Sequence, residues 1–94
     1  MARTRKNINH MMRYVKAFLD GKTDRLSFEL DFDFELMDRW DGMCSEDTEY
    51  AQVFNDWIGE RGVIAGQDLP DDEFKDLIWE QYDEVKSIAA SGFY

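Results

Sequence analysis

The chain has 94 residues, one cysteine and a formal net charge of −10 at pH 7. This length predicts a single domain over residues 1–94, and a hydrophobic content of 44% excludes an intrinsically disordered acidic chain. A single cysteine excludes an internal disulfide, and no apolar run approaches the roughly 20 residues that a membrane span needs. We expect no secretory signal, because Arg13 and Lys16 interrupt the first apolar run, and we therefore expect a cytoplasmic protein.

The charge is divided unevenly along the chain. Residues 1–25 contain seven Lys/Arg and two Asp/Glu, whereas residues 26–94 contain four Lys/Arg and nineteen Asp/Glu. An acidic excess of this size repels nucleic acid and anionic membranes and attracts basic surfaces. We therefore expect a basic protein partner, with neither direct nucleic-acid binding nor membrane binding, and a homodimer stays open. The alternative is that the acidic residues serve only solubility.

The first predicted element is a helix over residues 5–20. Its apolar residues recur at spacings of three and four, which places them on one side of a helix. The capping candidates at its start are Thr4 and Asn7, and Gly21 stands where a helix end favours a left-handed residue. The predicted apolar stripe consists of Ile8, Met11, Met12, Val15, Phe18 and Leu19.

Residues 26–36 carry an ambiguous pattern. Apolar residues alternate strictly with polar ones from Leu26 to Leu36, which is the period of a strand. A helix would also keep Phe28, Phe32 and Leu36 on one side, and no second alternating segment offers a lone strand a partner. We favour a helix from about residue 32, or earlier, to about residue 44, with residues 26–31 either extended or helical.

Two further helices are predicted over residues 46–60 and 71–89. Ser45 is the N-cap candidate of the first, which Gly59 and Gly62 should end, so that residues 61–69 form a loop. Pro70 stands near the start of the second, and the acidic residues that follow it suit the helix dipole. Four helices with one apolar side each predict an all-α fold, a small four-helix bundle.

Residues with catalytic or metal-binding chemistry are scarce. His10 has no cysteine or acid spaced to form a triad, and Cys44 has no histidine partner, although it could lie at a helix N-terminus. The acidic run at residues 31–35 lacks the glycine of a calcium loop and places phenylalanines between the acids. We expect no enzymatic activity, no cofactor and no metal site.

The acidic residues around the last helix are the strongest functional candidates. Four of them are spaced by four residues, so that like charges stand one above another and destabilise the helix. A basic partner would relieve this repulsion, and Trp79 at the edge of the apolar side has the character of an interface anchor, with burial in the core as the alternative. The candidate partner-binding residues are Glu60, Asp68, Asp71, Asp72, Asp76, Trp79, Glu80, Asp83 and Glu84.

Three stretches carry a resemblance to a known family. They are residues 15–22, which lead into Ser27-Phe28-Glu29 and Phe32; the amphipathic helix from Tyr50 to Trp57; and the segment from Glu60 to Asp68, followed by residues 69–74. In this order the chain resembles bacteriocin immunity proteins of the colicin D type. The resemblance implies a four-helix bundle that inhibits a ribonuclease toxin by covering its basic active cleft, with residues 60–84 as the contact region.

Three functions follow as hypotheses. The favoured one is an immunity protein that neutralises a basic, ribonuclease-type toxin domain through an acidic surface. The second is a phage-type acidic protein that mimics DNA and blocks a nucleic-acid-binding enzyme. The third is a structural or adaptor domain whose acidic residues serve solubility.

Overall fold

The computed structural model describes residues 5–92 of the chain. These residues form α1 (Lys6–Leu19), α2 (Arg25–Glu46), α3 (Thr48–Phe54), a π-helix (Asn55–Ile64) and α4 (Asp71–Ala90), and they contain no strand. The prediction of an all-α chain is confirmed, and each of the four predicted helical stretches is present. The chain divides between residues 51 and 52 into an N-terminal unit and a C-terminal unit, each compact in itself. None of the helices within residues 5–92 combines the length and apolar character needed to cross a membrane.

Helix α1 buries the apolar stripe that its sequence predicts. All six residues of that stripe are buried, and α1 packs against α2 within the N-terminal unit. The end of α1 is as predicted: Gly21 has a φ of 82°, and the amides of Gly21 and Lys22 donate to the carbonyls of Phe18 and Ala17 at 3.0 and 2.8 Å. This pair of bonds is the Schellman arrangement, which requires the left-handed conformation that glycine adopts without strain.

The start of α1 differs from the expectation. Thr4 lies outside the described residues, and Asn7 lies within the first turn and does not cap it. The first helical amides are instead satisfied by the carboxylate of Glu46, in the last turn of α2. Because Glu46 is 39 residues from Asn7 in the sequence, no local sequence pattern could predict this cap.

Helix α2 resolves the ambiguous segment, because residues 26–36 are helical throughout. Asp24 caps its start by accepting a hydrogen bond from the Ser27 amide at 2.7 Å. In a helix each step of two residues rotates a side chain by about 200°, so strict alternation produces two apolar stripes on opposite sides. One stripe contains the buried Phe28 and Phe32, and the other contains exposed residues that include Leu30. The alternation therefore predicts a helix with two apolar sides as well as it predicts a strand.

An aromatic cluster forms where α1 meets α2. The rings of Phe18 and Phe28 stack with centroids 4.4 Å apart, and Tyr14 stacks on Phe28 at 5.5 Å while its hydroxyl donates to the Phe28 carbonyl at 3.1 Å. Burial, together with the negative charges of Asp31 and Glu35, raises the pKa of Tyr14 to about 12. The cluster fixes which side of α2 belongs to the core of the N-terminal unit.

The boundaries predicted around residues 46–69 were wrong in two places. Ser45 does not cap α3, because α2 continues through Glu46 and the chain turns at Asp47, whose side chain accepts the Tyr50 amide at 3.1 Å. Gly59 and Gly62 do not end the following helix, because both are buried within a π-helix that runs to Ile64. The wider π-helical turn, rare at this length, carries the chain through part of the predicted loop.

The C-terminal unit is built by the π-helix and the turn after it packing against α4. A Cβ at Gly66 would lie 2.8 Å from Cδ2 of Leu77 and 3.0 Å from Cδ1 of Phe74, so only glycine permits this approach. The helical period predicts one face of α4 with Phe74, Leu77, Ile78, Gln81, Tyr82, Val85 and Ile88. Five of these residues are buried, Phe74, Ile78, Gln81, Tyr82 and Val85, whereas Leu77 and Ile88 are half-buried. This burial fixes the opposite side of α4 as the exposed one.

Candidate binding surface on helix α4

The first turn of α4 concentrates negative charge at the positive end of the helix dipole. Pro70 stands immediately before the helix, as predicted, and Asp71, Asp72 and Glu73 occupy the first turn. Negative side chains at this end of a helix are stabilising, so the helix dipole by itself explains the presence of these three acids. The acids further along α4 have no such explanation.

A row of acids runs along the exposed side of α4. This acidic row consists of Asp72, Asp76, Glu80, Asp83 and Glu84, all exposed. On a helix of 3.6 residues per turn they lie opposite the buried side, within about a third of the circumference. None of the five forms an ion pair with another of the described residues. No ion pair therefore relieves their mutual repulsion within the part of the chain that the structure describes.

Trp79 borders the acidic row. It is 37% exposed, and its ring meets that of Tyr82 edge to face, with centroids 6.0 Å apart. Tyr82 is buried, so this contact ties Trp79 to the core of the C-terminal unit, while part of the Trp79 side chain stays exposed. Trp79 is therefore not a fully buried core residue, which was the alternative considered from the sequence.

The other predicted binding residues lie outside the acidic row. Glu60 is on the π-helix and Asp68 is in the turn that follows it, and both are exposed. Asp71 is exposed in the first turn of α4, but its position on the helix points it away from the side that carries the row. The acidic row and Trp79 thus form a single surface on one helix. Glu60, Asp68 and Asp71 are close to this helix in sequence but do not belong to that surface.

Two features of the C-terminal unit were not singled out from the sequence. The guanidinium of Arg61 lies 3.9 Å from the ring centroid of Trp57, which is a cation–π contact between residues four positions apart. Gln81 is 7% exposed, and its buried Oε1 accepts no hydrogen bond within residues 5–92. The four-residue spacing of Trp57 and Arg61 could have revealed the first feature, whereas the second depends on packing that no sequence pattern encodes.

The residues considered for catalysis belong to the N-terminal unit and are not joined in a catalytic arrangement. Nε2 of His10 lies 2.7 Å from Oε1 of Glu35, and both side chains are half-buried. Cys44 is not at a helix N-terminus, as considered from the sequence, because α2 extends past it to Glu46. Within residues 5–92 no three His, Cys, Asp or Glu side chains are arranged to hold a metal ion.

Comparison with known proteins yields no match: neither a protein-family model, nor a curated protein, nor a solved structure resembles the chain at a significant level.

Proposed function

We propose that the protein is a non-enzymatic binding protein that uses the acidic row of α4, with Trp79 beside it, to recognise a basic protein surface. The resemblance to immunity proteins of the colicin D type makes a ribonuclease-type toxin domain the proposed partner. Binding would cover the basic cleft with which such a domain holds RNA, and so neutralise it.

The observation that carries the proposal is the row of five exposed acids that have no ion-pair partner among the described residues. Like charges one turn apart cost a helix a few tenths of a kcal/mol for each pair, so the row opposes the stability of α4. Solubility alone requires a net charge and not this placement. A basic partner would convert the repulsion into attraction, and the field of the row would speed its association.

Trp79 supplies the second element that an interface needs. Complementary charges mainly set the association rate and the specificity, whereas a few large side chains supply most of the affinity. A partly exposed tryptophan, in contact with Tyr82 and bordered by acids, meets this description. The DNA-mimic and adaptor hypotheses use the same acids, so the identity of the partner must be decided by experiment.

The experiment measures association of the full chain with a purified ribonuclease domain of a colicin D type toxin. The first variant reverses three charges of the row: Asp76→Lys, Glu80→Lys and Asp83→Lys. The matched control reverses three exposed acids outside α4, Asp31→Lys, Glu49→Lys and Asp56→Lys, which changes the net charge equally. Rate constants are measured at several salt concentrations, and protection of growing cells from the toxin domain is scored in parallel.

We expect the α4 reversal to slow association at least tenfold, to weaken its salt dependence and to abolish protection, while the control changes these far less. Trp79→Ala should lower the affinity by about 2 kcal/mol through faster dissociation. Equal losses in both triple variants would show that only the net charge matters. Absence of binding and of protection in the wild type would remove the toxin domain as the partner.

A further inference from the structure

Helix α2 carries a second apolar side that the N-terminal unit does not bury. Four large side chains on it are exposed, by 69, 64, 75 and 75% respectively; they form the α2 stripe, Leu26, Leu30, Phe34 and Met37. Their positions, i, i+4, i+8 and i+11, fall on one side of the helix over three turns. The stripe is thus continuous and is not a scatter of single exposed residues.

The core of the N-terminal unit does not require this stripe. The opposite side of α2 supplies Phe28 and Phe32, which are 0% and 2% exposed, to the cluster with α1. The stripe presents on the order of 500 Å² of apolar surface, which is the size of patch that commonly marks an interaction site on a monomeric protein. A partner that covered this patch would therefore remove its apolar surface from water.

The charges beside the stripe restrict the chemistry of that partner. By their helical positions Asp33 and Asp38 flank the stripe, and Asp41 stands at its C-terminal end. All three are exposed and form no ion pair with a described residue. The two arginines of α2 are engaged elsewhere: Arg25 pairs with Glu29, and Arg39 donates to Oδ1 of Asn7 at 3.0 Å. The stripe is consequently an apolar strip with uncompensated negative charge at its borders.

We propose that the α2 stripe is a docking site for one basic amphipathic helix of another protein, whose apolar side covers the stripe while its Lys and Arg residues meet the flanking aspartates. A second copy of this chain fits less well, because two α2 helices packed through their stripes would bring the flanking aspartates of both copies together. The stripe is also smaller than the roughly 800 Å² per partner of a stable interface, but it matches the face of a single helix.

This site is distinct from the acidic row, since it lies on the N-terminal unit and does not depend on the function proposed for α4. The probe is a fluorescently labelled synthetic peptide of about five helical turns, with leucines at i, i+3, i+4 and i+7 and lysines at the other positions. A second peptide has glutamates in place of the lysines. Binding of each peptide to the full chain is measured by fluorescence anisotropy.

The variant that tests the stripe is Leu30→Asn with Phe34→Asn, and the matched control is Ile64→Asn, an exposed isoleucine of the C-terminal unit. Circular dichroism establishes that each variant is folded. We expect the lysine peptide to bind the wild type and the control alike, and to bind the stripe variant at least tenfold more weakly. The glutamate peptide should not bind the wild type.

Reversal of the flanking charges provides a second and independent test of the proposed docking site. The variant with Asp33→Lys, Asp38→Lys and Asp41→Lys should prefer the glutamate peptide, while reversal of the α4 row should leave the preference for the lysine peptide unchanged. Equal binding by the wild type and the stripe variant, or absence of binding by the wild type, would overturn the proposal. So would a wild-type dimer in sedimentation equilibrium that the stripe variant loses, because the occupant would then be a second copy.

Discussion

The carboxylate of Glu46, in the last turn of α2, caps the first turn of α1 at Asn7. The Asn7 amide donates to Oε1 and Oε2 at 3.0 and 2.8 Å, the Ile8 amide donates to Oε1 at 3.0 Å, and the Asn7 side chain donates to Oε2 at 2.8 Å. The first amides of a helix have no partner within the helix, and a negative charge there also meets the positive end of the dipole. One side chain thus joins the two helices of the N-terminal unit.

Replacement of Glu46 by alanine should destabilise the protein. The substitution leaves the amides of Asn7 and Ile8 without their acceptor, and loss of a capping side chain costs about 1–2 kcal/mol. We expect the free energy of unfolding, measured by urea denaturation, to fall by this amount. Ser45→Ala is the control, because Ser45 is an exposed neighbour whose side chain makes no hydrogen bond with a described residue, and it should change stability by less than about 0.5 kcal/mol. Equal effects of the two substitutions would contradict the capping role.

The contribution of Glu46 should depend on pH. Although partial burial raises the pKa of its carboxyl group, hydrogen bonds from the Asn7 and Ile8 amides and from the Asn7 side chain, together with the charge of Arg39, hold that pKa below its usual value. A carboxylate whose pKa is lower in the folded state contributes stability that is fully present above the unfolded-state pKa and is lost as the pH falls through the folded-state pKa. The stability difference between the wild type and Glu46→Gln should therefore be constant from pH 7 to about pH 5 and shrink below about pH 4. A difference that does not vary with pH would exclude a role for the charge.

Local periodicity was sufficient to predict α1 and α4, but it left residues 26–31 of α2 open and did not locate most of the helix ends. The apolar stripe of α1 and the buried side of α4 follow the helical period without interruption, so their burial could be predicted residue by residue. The end of α1 at Gly21 was equally readable, because a single residue provides the left-handed conformation. The caps at Glu46 and Asp47 could not be predicted from the sequence. Glu46 caps α1, which is distant in sequence, and the role of Asp47 at the start of α3 depends on where α2 ends.

The candidate sites divide in the same way. Exposure of the acidic row follows from the burial of the opposite side of α4, so the sequence located it. The α2 stripe could not be predicted from the alternation, because Leu30 and Phe34 fit a strand and a helix equally well. Only the burial of Phe28 and Phe32 on the other side of α2 identifies them as a second face. A pattern with a period of two gives no indication of which face will be covered.

Gly66 should not tolerate a side chain. A Cβ there would lie 2.8 Å from Cδ2 of Leu77 and 2.9 Å from the carbonyl oxygen of Gly62, and a backbone atom cannot move away as the end of a side chain can. Overpacking of this kind costs about 1–3 kcal/mol, so we expect Gly66→Ala to lower the thermal midpoint measurably. Ala65→Ser, at the exposed neighbouring position, adds an atom without this contact and should leave the midpoint nearly unchanged. An unaltered midpoint for Gly66→Ala would mean that the turn can separate from α4 at little cost.

Trp79 and Phe74 lie on the same helix and should respond differently to truncation. Phe74 is 0% exposed, so Phe74→Ala removes a fully buried ring and should cost about 3–5 kcal/mol of folding free energy. Trp79 is 37% exposed, so Trp79→Ala removes a ring that is only partly buried and should cost less than about 3 kcal/mol, although that ring is larger. Urea denaturation of both variants measures the two costs directly. If Trp79→Ala proved as destabilising as Phe74→Ala, the ring would belong to the core of the C-terminal unit, and its use as a binding anchor beside the acidic row would lose its structural support.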